Sequence, residues 1–139
     1  YSHLLGECGV TFFADPSLAR RFRRGFPKSL DGAAMLMPDS KSLLRRALEQ
    51  WFAAERIQPR VVGEFQDSAL LKAFGQAGHG IFAAPSAIES EVRRQYRVAQ
   101  IGTVPSLREH FYAISVERKL KHPAVLAISA AAHDDIFRG

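Results

Sequence analysis

Residues 60–86 constrain the fold of this chain most, because they place two apolar runs on either side of one amphipathic stretch. Their sequence is RVVGEFQDSALLKAFGQAGHGIFAAPS. Residues 61–65 predict a buried strand, and residues 81–84 predict a second strand that Pro85 ends. Between them, residues 67–78 combine helix-capping side chains, apolar residues at helical spacing and a terminating glycine. Such short joints are typical of a βαβ unit, so we predict that the two strands are parallel neighbours.

The rest of the chain repeats this alternation of apolar runs and amphipathic stretches. Further strands are predicted at residues 10–14, 33–37, 98–101 and 111–116. Further helices are predicted to begin after a cap at Ser17, near Ser42, at a capping box of Ser86 and Glu89, and at Pro123. We therefore predict an α/β fold with a mostly parallel twisted sheet flanked by helices. The polar, proline-containing residues 103–109 are predicted to lie at a boundary between lobes.

Composition excludes several classes of protein. A single cysteine, Cys8, excludes an internal disulfide and a cysteine-rich zinc site, and it favours a cytoplasmic location. No apolar run is long enough to span a membrane, so no membrane contact is expected. Residues 1–15 lack the pattern of a signal peptide, and the start at Tyr1 indicates a piece of a longer protein.

Four arginines give one predicted helix a strongly basic face: Arg20, Arg21, Arg23 and Arg24. No aromatic stacking pattern or zinc-finger spacing accompanies them. We interpret them as a solvated helix face, with a nucleic-acid or partner contact as the alternative.

Polar residues follow two of the predicted strands, at the edge where open α/β sheets bind ligands. Asp39 and Ser40 follow one strand, and residues 64–68 follow the other. Ser40 and nearby backbone amides could bind an anion. Glu64, Asp67 and Ser68 could instead give oxygen ligands to a hard cation. Helix capping by these same side chains is the structural alternative, and the sequence leaves the choice open.

Patterns typical of enzymes are missing from the sequence. The glycines of residues 75–80 follow a helix rather than a strand, so they are predicted to end that helix and not to bind phosphate. Cys8 has no nucleophile motif around it, and the five histidines show no metal-binding spacing. We predict that the chain is not an enzyme and has neither a catalytic residue, a metal site nor a cofactor.

Several segments together resemble the effector-binding domain of LysR-type transcriptional regulators. They are CGVTFFA at residues 8–14, FPKSLDGAAMLMP at 26–38, RRALEQWF at 45–52, GEFQDSALLKAFGQAG at 63–78, AGHGI at 77–81 and FYAISVERK at 111–119. The resemblance covers nearly the whole chain. Within the family, these segments other than residues 77–81 are most similar to a branch that activates sodium/proton antiporter genes.

The resemblance implies a lobe like those of type II periplasmic binding proteins. Residues 1–108 would form the second lobe, and residues 109–139 would form a crossing strand and a C-terminal helix that belong to the first lobe. The DNA-binding domain and most of the first lobe would lie outside this chain. We expect the residues after 110 to favour self-association when that lobe is missing.

The resemblance also implies a regulatory function and a site. The effector would bind between the lobes, with sodium or lithium as the expected effector. Promoter DNA would bind only through the missing domain, RNA polymerase would be a further partner, and a homo-oligomer is expected. On this lobe, with Glu64 added from its strand-end position, the expected effector-binding residues are Pro38, Asp39, Ser40, Glu64, Phe65, Gln66, Asp67, Ser68, Pro85 and Ser86. A solute-binding receptor of a transport system is the alternative, because such receptors share the fold.

Overall fold

The structure, a computed structural model, describes residues 1–114 of the chain. Five strands and four α-helices follow one another: β1 (Ser2–Ala14), α1 (Pro16–Arg23), β2 (Ala34–Pro38), α2 (Leu43–Glu55), β3 (Arg60–Phe65), α3 (Ser68–Gln76), β4 (Phe82–Pro85), α4 (Glu89–Tyr96) and β5 (Ala99–Ile114). Two short 3-10 helices lie at Lys28–Leu30 and Ser86–Ile88. The predicted α/β class is confirmed. The predicted C-terminal helix from Pro123 lies outside the described residues.

The sheet is mixed. β2 and β3 pair in parallel, whereas β1 pairs antiparallel with both β4 and β5. A parallel bridge between Met35 and Ile81 joins the two groups, with the Ile81 N–H donating to the Ala34 carbonyl at 2.9 Å. The strand order across this connection is β3-β2-β4-β1-β5. The mostly parallel arrangement that the sequence predicts is not confirmed, because the antiparallel pairing of β1 with β5 depends on residues far apart in sequence.

β3 and β4 are not neighbours, since β2 lies between them: it pairs in parallel with β3 and forms a single parallel bridge to Ile81, directly before β4. β3 is the outer strand of this group. Val61 and Val62 on it remain 42% and 44% exposed, so the prediction of a buried strand is also wrong. An apolar run of this length does not distinguish an outer strand from a central one, because only the sheet order decides which strand is covered.

β5 runs without interruption through residues 103–109, where the sequence suggested a polar segment between two separate strands. Its ladder with β1 is nevertheless irregular there. Val10 pairs with Val104 and Cys8 pairs with Glu109, so residues 105–108 form extra backbone opposite Gly9. A Cβ added to Gly9 would lie 2.9 Å from Pro105 Cα, so the bulge requires glycine on the facing strand. The proposed lobe division at residue 108 remains a prediction.

Two predicted helix caps differ from those observed. Asp15, rather than Ser17, caps α1, because its carboxylate accepts the N–H groups of Ser17 and Leu18. Ser86 makes no capping box, because its hydroxyl donates to the Gly9 carbonyl on β1 at 2.9 Å. At α1 one local cap replaces another two residues away, whereas at Ser86 a tertiary hydrogen bond replaces the local bond that the sequence pattern favours.

The core consists of two clusters on opposite faces of the sheet. The aromatic cluster surrounds buried Phe12, whose ring lies near the rings of Phe26, Trp51 and Phe52. The cavity-side cluster consists of Phe13, Leu36, Leu71, Phe82, Ala84, Val92 and Val98. Phe12 and Phe13 belong to different clusters because successive strand residues point to opposite faces.

The surface of α1 carries the basic residues noted in the sequence, and all four of its arginines are exposed. Arg23 donates from Nε to the Gln100 carbonyl at 2.8 Å, which attaches the end of α1 to β5. No helix among residues 1–114 is both long and apolar enough to span a membrane.

Candidate functional site

A cavity of about 310 Å³ opens where β2, β3 and β4 end. The carboxyl ends of β2 and β3 lie side by side there, since Pro38 pairs with Phe65 and the Asp39 N–H donates to the Phe65 carbonyl at 2.9 Å. The start of α3 and a segment of β5 complete the wall. Its lining residues are Pro38, Asp39, Ser42, Leu44, Phe65, Gln66, Ser68, Leu71, Lys72, Ala83, Ala84, Pro85, Ile88 and Glu109.

The structure brings six of the ten predicted effector-binding residues to this cavity. These six are Pro38, Asp39, Phe65, Gln66, Ser68 and Pro85. Ser40, Glu64, Asp67 and Ser86 do not line it. The expected meeting of strand ends therefore holds for the geometry, while the effector-binding role of each residue remains a prediction.

Glu64 lies outside the cavity because it pairs with a helix instead. Its carboxylate is 3.0 Å from Nη1 of Arg45 on α2, and the same guanidinium donates to the Pro38 carbonyl at 2.9 Å. Arg45 also pairs with Glu49, one turn further along α2. Glu64 therefore helps to fix the end of β2 relative to α2, and it is not arranged as a cation ligand.

Asp67 and Asp39 use their carboxylates to order backbone. Asp67 caps α3 by accepting the N–H groups of Ala69 and Leu70 at 2.8 and 3.3 Å. Asp39 accepts the Lys41 N–H at 3.2 Å, in the turn that leads to α2. Capping thus explains Asp67, and an Asx turn occupies one oxygen of Asp39.

Two charged residues that sequence analysis did not identify also line the cavity, Lys72 on α3 and Glu109 on β5. Burial lowers the pKa of Lys72, and the carboxylates of Glu109 and Asp67 partly oppose that effect. Burial likewise raises the pKa of Glu109, opposed by the Lys72 ammonium. Helical periodicity could have identified Lys72, because it lies one turn after Ser68 on the same face of α3.

Glu109 is held at the cavity by its neighbours on β5. Arg108 and His110 both pair with Glu7 of β1, at 3.2 and 2.7 Å. Glu109 lies between them and lines the cavity, consistent with the alternation of side chains along a strand. No sequence signal could have identified it, because its position depends on the register of β5 after the bulge.

Within residues 1–114, no group of three or more histidine, cysteine, aspartate or glutamate side chains is arranged to hold a metal ion. The oxygen atoms at the cavity come instead from single residues on different elements. The arrangement is suited to a small organic molecule, for which an apolar wall supplies contact area and a few polar groups fix the orientation.

Comparisons with known proteins give a consistent result. The family model of the LysR substrate binding domain matches residues 1–135. The transcriptional activator protein NhaR of Escherichia coli (strain K12) is 34% identical over 137 residues, which are 99% of this chain and 44% of that protein, and NhaR of Shigella flexneri gives the same values. The chain therefore spans less than half the length of these curated relatives.

Solved structures agree on the fold. The regulatory domain of Synechocystis PCC6803 CcmR, in complex with 2-PG, has a TM-score of 0.69 at 14% identity and covers 99% of this chain and 67% of its own. The AmpR effector binding domain of Citrobacter freundii has a TM-score of 0.67 at 15% identity, and the match covers 100% of this chain and 68% of the AmpR chain. Vibrio fischeri DarR in complex with DNA has a TM-score of 0.63 at 22% identity, and the match covers 96% of this chain and 45% of the DarR chain.

Proposed function

Because this chain belongs to the family of LysR substrate-binding domains, we propose that it is the effector-sensing part of a cytoplasmic, DNA-binding transcriptional activator. The observation that carries the proposal is the cavity at the ends of β2, β3 and β4, which is where open α/β sheets bind ligands. An effector there would shift the balance between two arrangements of the regulator by its different affinity for each.

The finer proposal concerns which genes are controlled and by what signal. Similarity to NhaR supports control of sodium/proton antiporter genes in response to sodium or lithium. DNA would be bound by a separate N-terminal domain, in an oligomer that also contacts RNA polymerase. By analogy, the complex of CcmR with 2-PG supports binding of a small effector, and the complex of DarR with DNA supports binding of DNA by the whole regulator.

Sodium dependence is tested on the full-length regulator bound to promoter DNA. Footprints are compared in sodium chloride, lithium chloride and choline chloride at equal ionic strength. We expect the footprint to change in sodium and lithium and to stay unchanged in choline. An identical footprint in all three salts would remove the cation from the proposal while leaving the regulator assignment intact.

The role of the cavity is tested separately by filling it. Ser68→Trp places a large side chain in the wall of the cavity, whereas Ser90→Trp adds the same side chain to an exposed position on α4. We expect the first variant to lose induction of a promoter reporter and the second to retain it. Normal induction in the Ser68 variant would contradict an effector site here.

A receptor for solute uptake is the second candidate, since such receptors also bind ligands in a crevice at the ends of sheet strands. The sequence upstream of Tyr1 separates them: a helix-turn-helix supports the regulator, and a secretory signal peptide supports the receptor.

A further inference from the structure

Three charged side chains line the cavity: Asp39, Lys72 and Glu109. One oxygen of Asp39 accepts the Lys41 N–H in a turn, whereas Lys72 and Glu109 lack a full set of partners. The buried Oε2 atom of Glu109 accepts no hydrogen bond from any described residue. Lys72 interacts electrostatically with Glu109, but the described residues offer it no carboxylate within ion-pair distance. Lys72 lies on α3 and Glu109 lies on β5, and the two side chains do not approach within ion-pair distance.

Leaving both groups in this condition costs free energy. Both side chains are partly buried, and a charged group that is partly removed from water loses hydration, which the distant opposite charge only partly offsets. The pKa directions agree with that cost, since burial makes the ammonium of Lys72 easier to deprotonate and the carboxyl of Glu109 easier to protonate. A bound molecule that pairs with both groups would recover part of this cost.

The remainder of the wall is largely apolar and the space is small. Phe65, Leu71 and Ile88 supply much of the apolar surface. The volume of about 310 Å³ lies at the low end of the roughly 300–1,000 Å³ that ligand pockets span. The occupant should therefore be small and have a short apolar part.

We propose that the cavity binds a small zwitterion with a short apolar side chain, an α-amino acid, whose carboxylate pairs with Lys72 and whose ammonium pairs with Glu109. This inference rests on the proposed function of the cavity as an effector site. It names an organic effector for the cavity, separate from the proposed response to sodium or lithium, for which residues 1–114 offer no cluster of metal ligands.

Charge balance favours a zwitterion over an ion of one sign. A simple anion would pair with Lys72 but leave the buried oxygen of Glu109 unpartnered. A simple cation would pair with Glu109 but lie close to the Lys72 ammonium. A zwitterion satisfies both groups and leaves the net charge of the site unchanged.

The test is isothermal titration calorimetry of the full-length regulator with alanine, valine, leucine and methionine. Two analogues of leucine serve as matched probes: isocaproate lacks the ammonium group, and isopentylamine lacks the carboxylate. We expect at least one amino acid to bind, and leucine to bind about tenfold or more tightly than either analogue, as loss of a charge-assisted hydrogen bond implies.

Two variants then assign the charges. In Lys72→Met, leucine should lose its advantage over isopentylamine, because no group remains to recognise the carboxylate. In Glu109→Gln, leucine should lose its advantage over isocaproate. A general loss of structure would weaken all three probes alike, so each selective loss identifies a contact. Lys41→Met, a matched change at an exposed lysine outside the cavity, should leave all three affinities unchanged.

The proposal is overturned if none of the four amino acids binds the wild-type regulator, or if both variants keep the wild-type order of affinities. If Ser68→Trp still abolishes induction in that case, the cavity remains an effector site for a different class of molecule. If Ser68→Trp has no effect either, the effector site itself is refuted.

Discussion

The two faces of the sheet differ in how completely they are closed. On the aromatic-cluster face, Phe12 is fully buried among three rings at centroid distances of 5.7–6.1 Å. On the other face, Phe13 stacks on Phe82 at 5.5 Å, but α3 leaves Leu70 49% and Phe74 41% exposed. The cavity-side cluster also gives Leu71 and Ala84 to the cavity wall.

This difference indicates that one face mainly stabilises the fold, whereas the other face forms the cavity. Dense aromatic packing around Phe12 holds β1 against α2. The other face has fewer large side chains, so it can hold charged groups next to an open space at a modest cost to stability.

The largest effect is expected in the aromatic cluster. Phe12→Ala should lower the free energy of unfolding by about 3–5 kcal/mol, because it removes a fully buried ring and leaves a void. Phe74→Ala, a matched change on the open face, should cost roughly 1 kcal/mol. Urea denaturation followed by circular dichroism measures both. Equal losses would show that the faces contribute alike.

A smaller effect is expected where α3 meets the sheet. A Cβ on Gly75 would lie 2.4 Å from the ring of Phe82, which is fully buried and stacked on Phe13. Gly75→Ala should therefore destabilise by about 1–3 kcal/mol, although alanine is the better helix former.

Two controls accompany this change in the same denaturation assay. Gln76→Ala, one residue further along α3 and exposed, should have little effect. Combining Gly75→Ala with Phe82→Leu should recover part of the loss by making room for the new methyl group. A stabilising effect of Gly75→Ala alone would mean that the two elements are not in tight contact.

The smallest effect is a dependence on pH at the cavity. Burial, opposed by Lys72, raises the pKa of Glu109 above its ordinary value of 4.5, so the folded state holds this proton more tightly than the unfolded state does. The contribution of Glu109 to stability is therefore present below pH 4.5 and is lost as the pH rises through its folded pKa.

Glu109→Gln should remove that loss, so the stability of the variant relative to the wild type should increase from about pH 4.5 upwards. Denaturation midpoints measured across this range give the comparison. For Glu91→Gln, at an exposed position on α4, the difference in denaturation midpoint from the wild type should stay constant across this pH range. Lys72 acts with the opposite sign, because its lowered pKa makes stability rise as the pH increases from the folded pKa of Lys72 to 10.5. If the difference in midpoint between Glu109→Gln and the wild type also stayed constant with pH, the Glu109 carboxyl of the wild type would not be buried in solution.

The sequence predicts the elements of this fold better than it predicts their arrangement. Helical periodicity and capping residues act within a few positions, so α2 and α3 begin where Ser42 and Asp67 predict. Sheet order depends on contacts such as Phe12 with Gly102, which no local pattern encodes.

The candidate site shows the same limit. The strand-end rule brings Pro38 and Phe65 together from sequence alone, because it follows from parallel pairing. It also selects Glu64, which does not line the cavity, since the ion pair of Glu64 with Arg45 depends on how α2 packs on the sheet. Glu109 reaches the cavity only through its pairing with Cys8 on β1.

The bulge in β5 has a consequence for how a bound molecule could be sensed. β4 pairs with Val10 to Phe13 only, so the parts of β1 and β5 beyond the bulge continue as a two-stranded ribbon. The extra backbone at residues 105–108 interrupts the ladder just before Glu109, and bending costs least where a ladder is interrupted. A ligand that contacts both α3 and this ribbon would fix the angle of the ribbon relative to the rest of the sheet. Binding in a small cavity would then change the position of residues far from it.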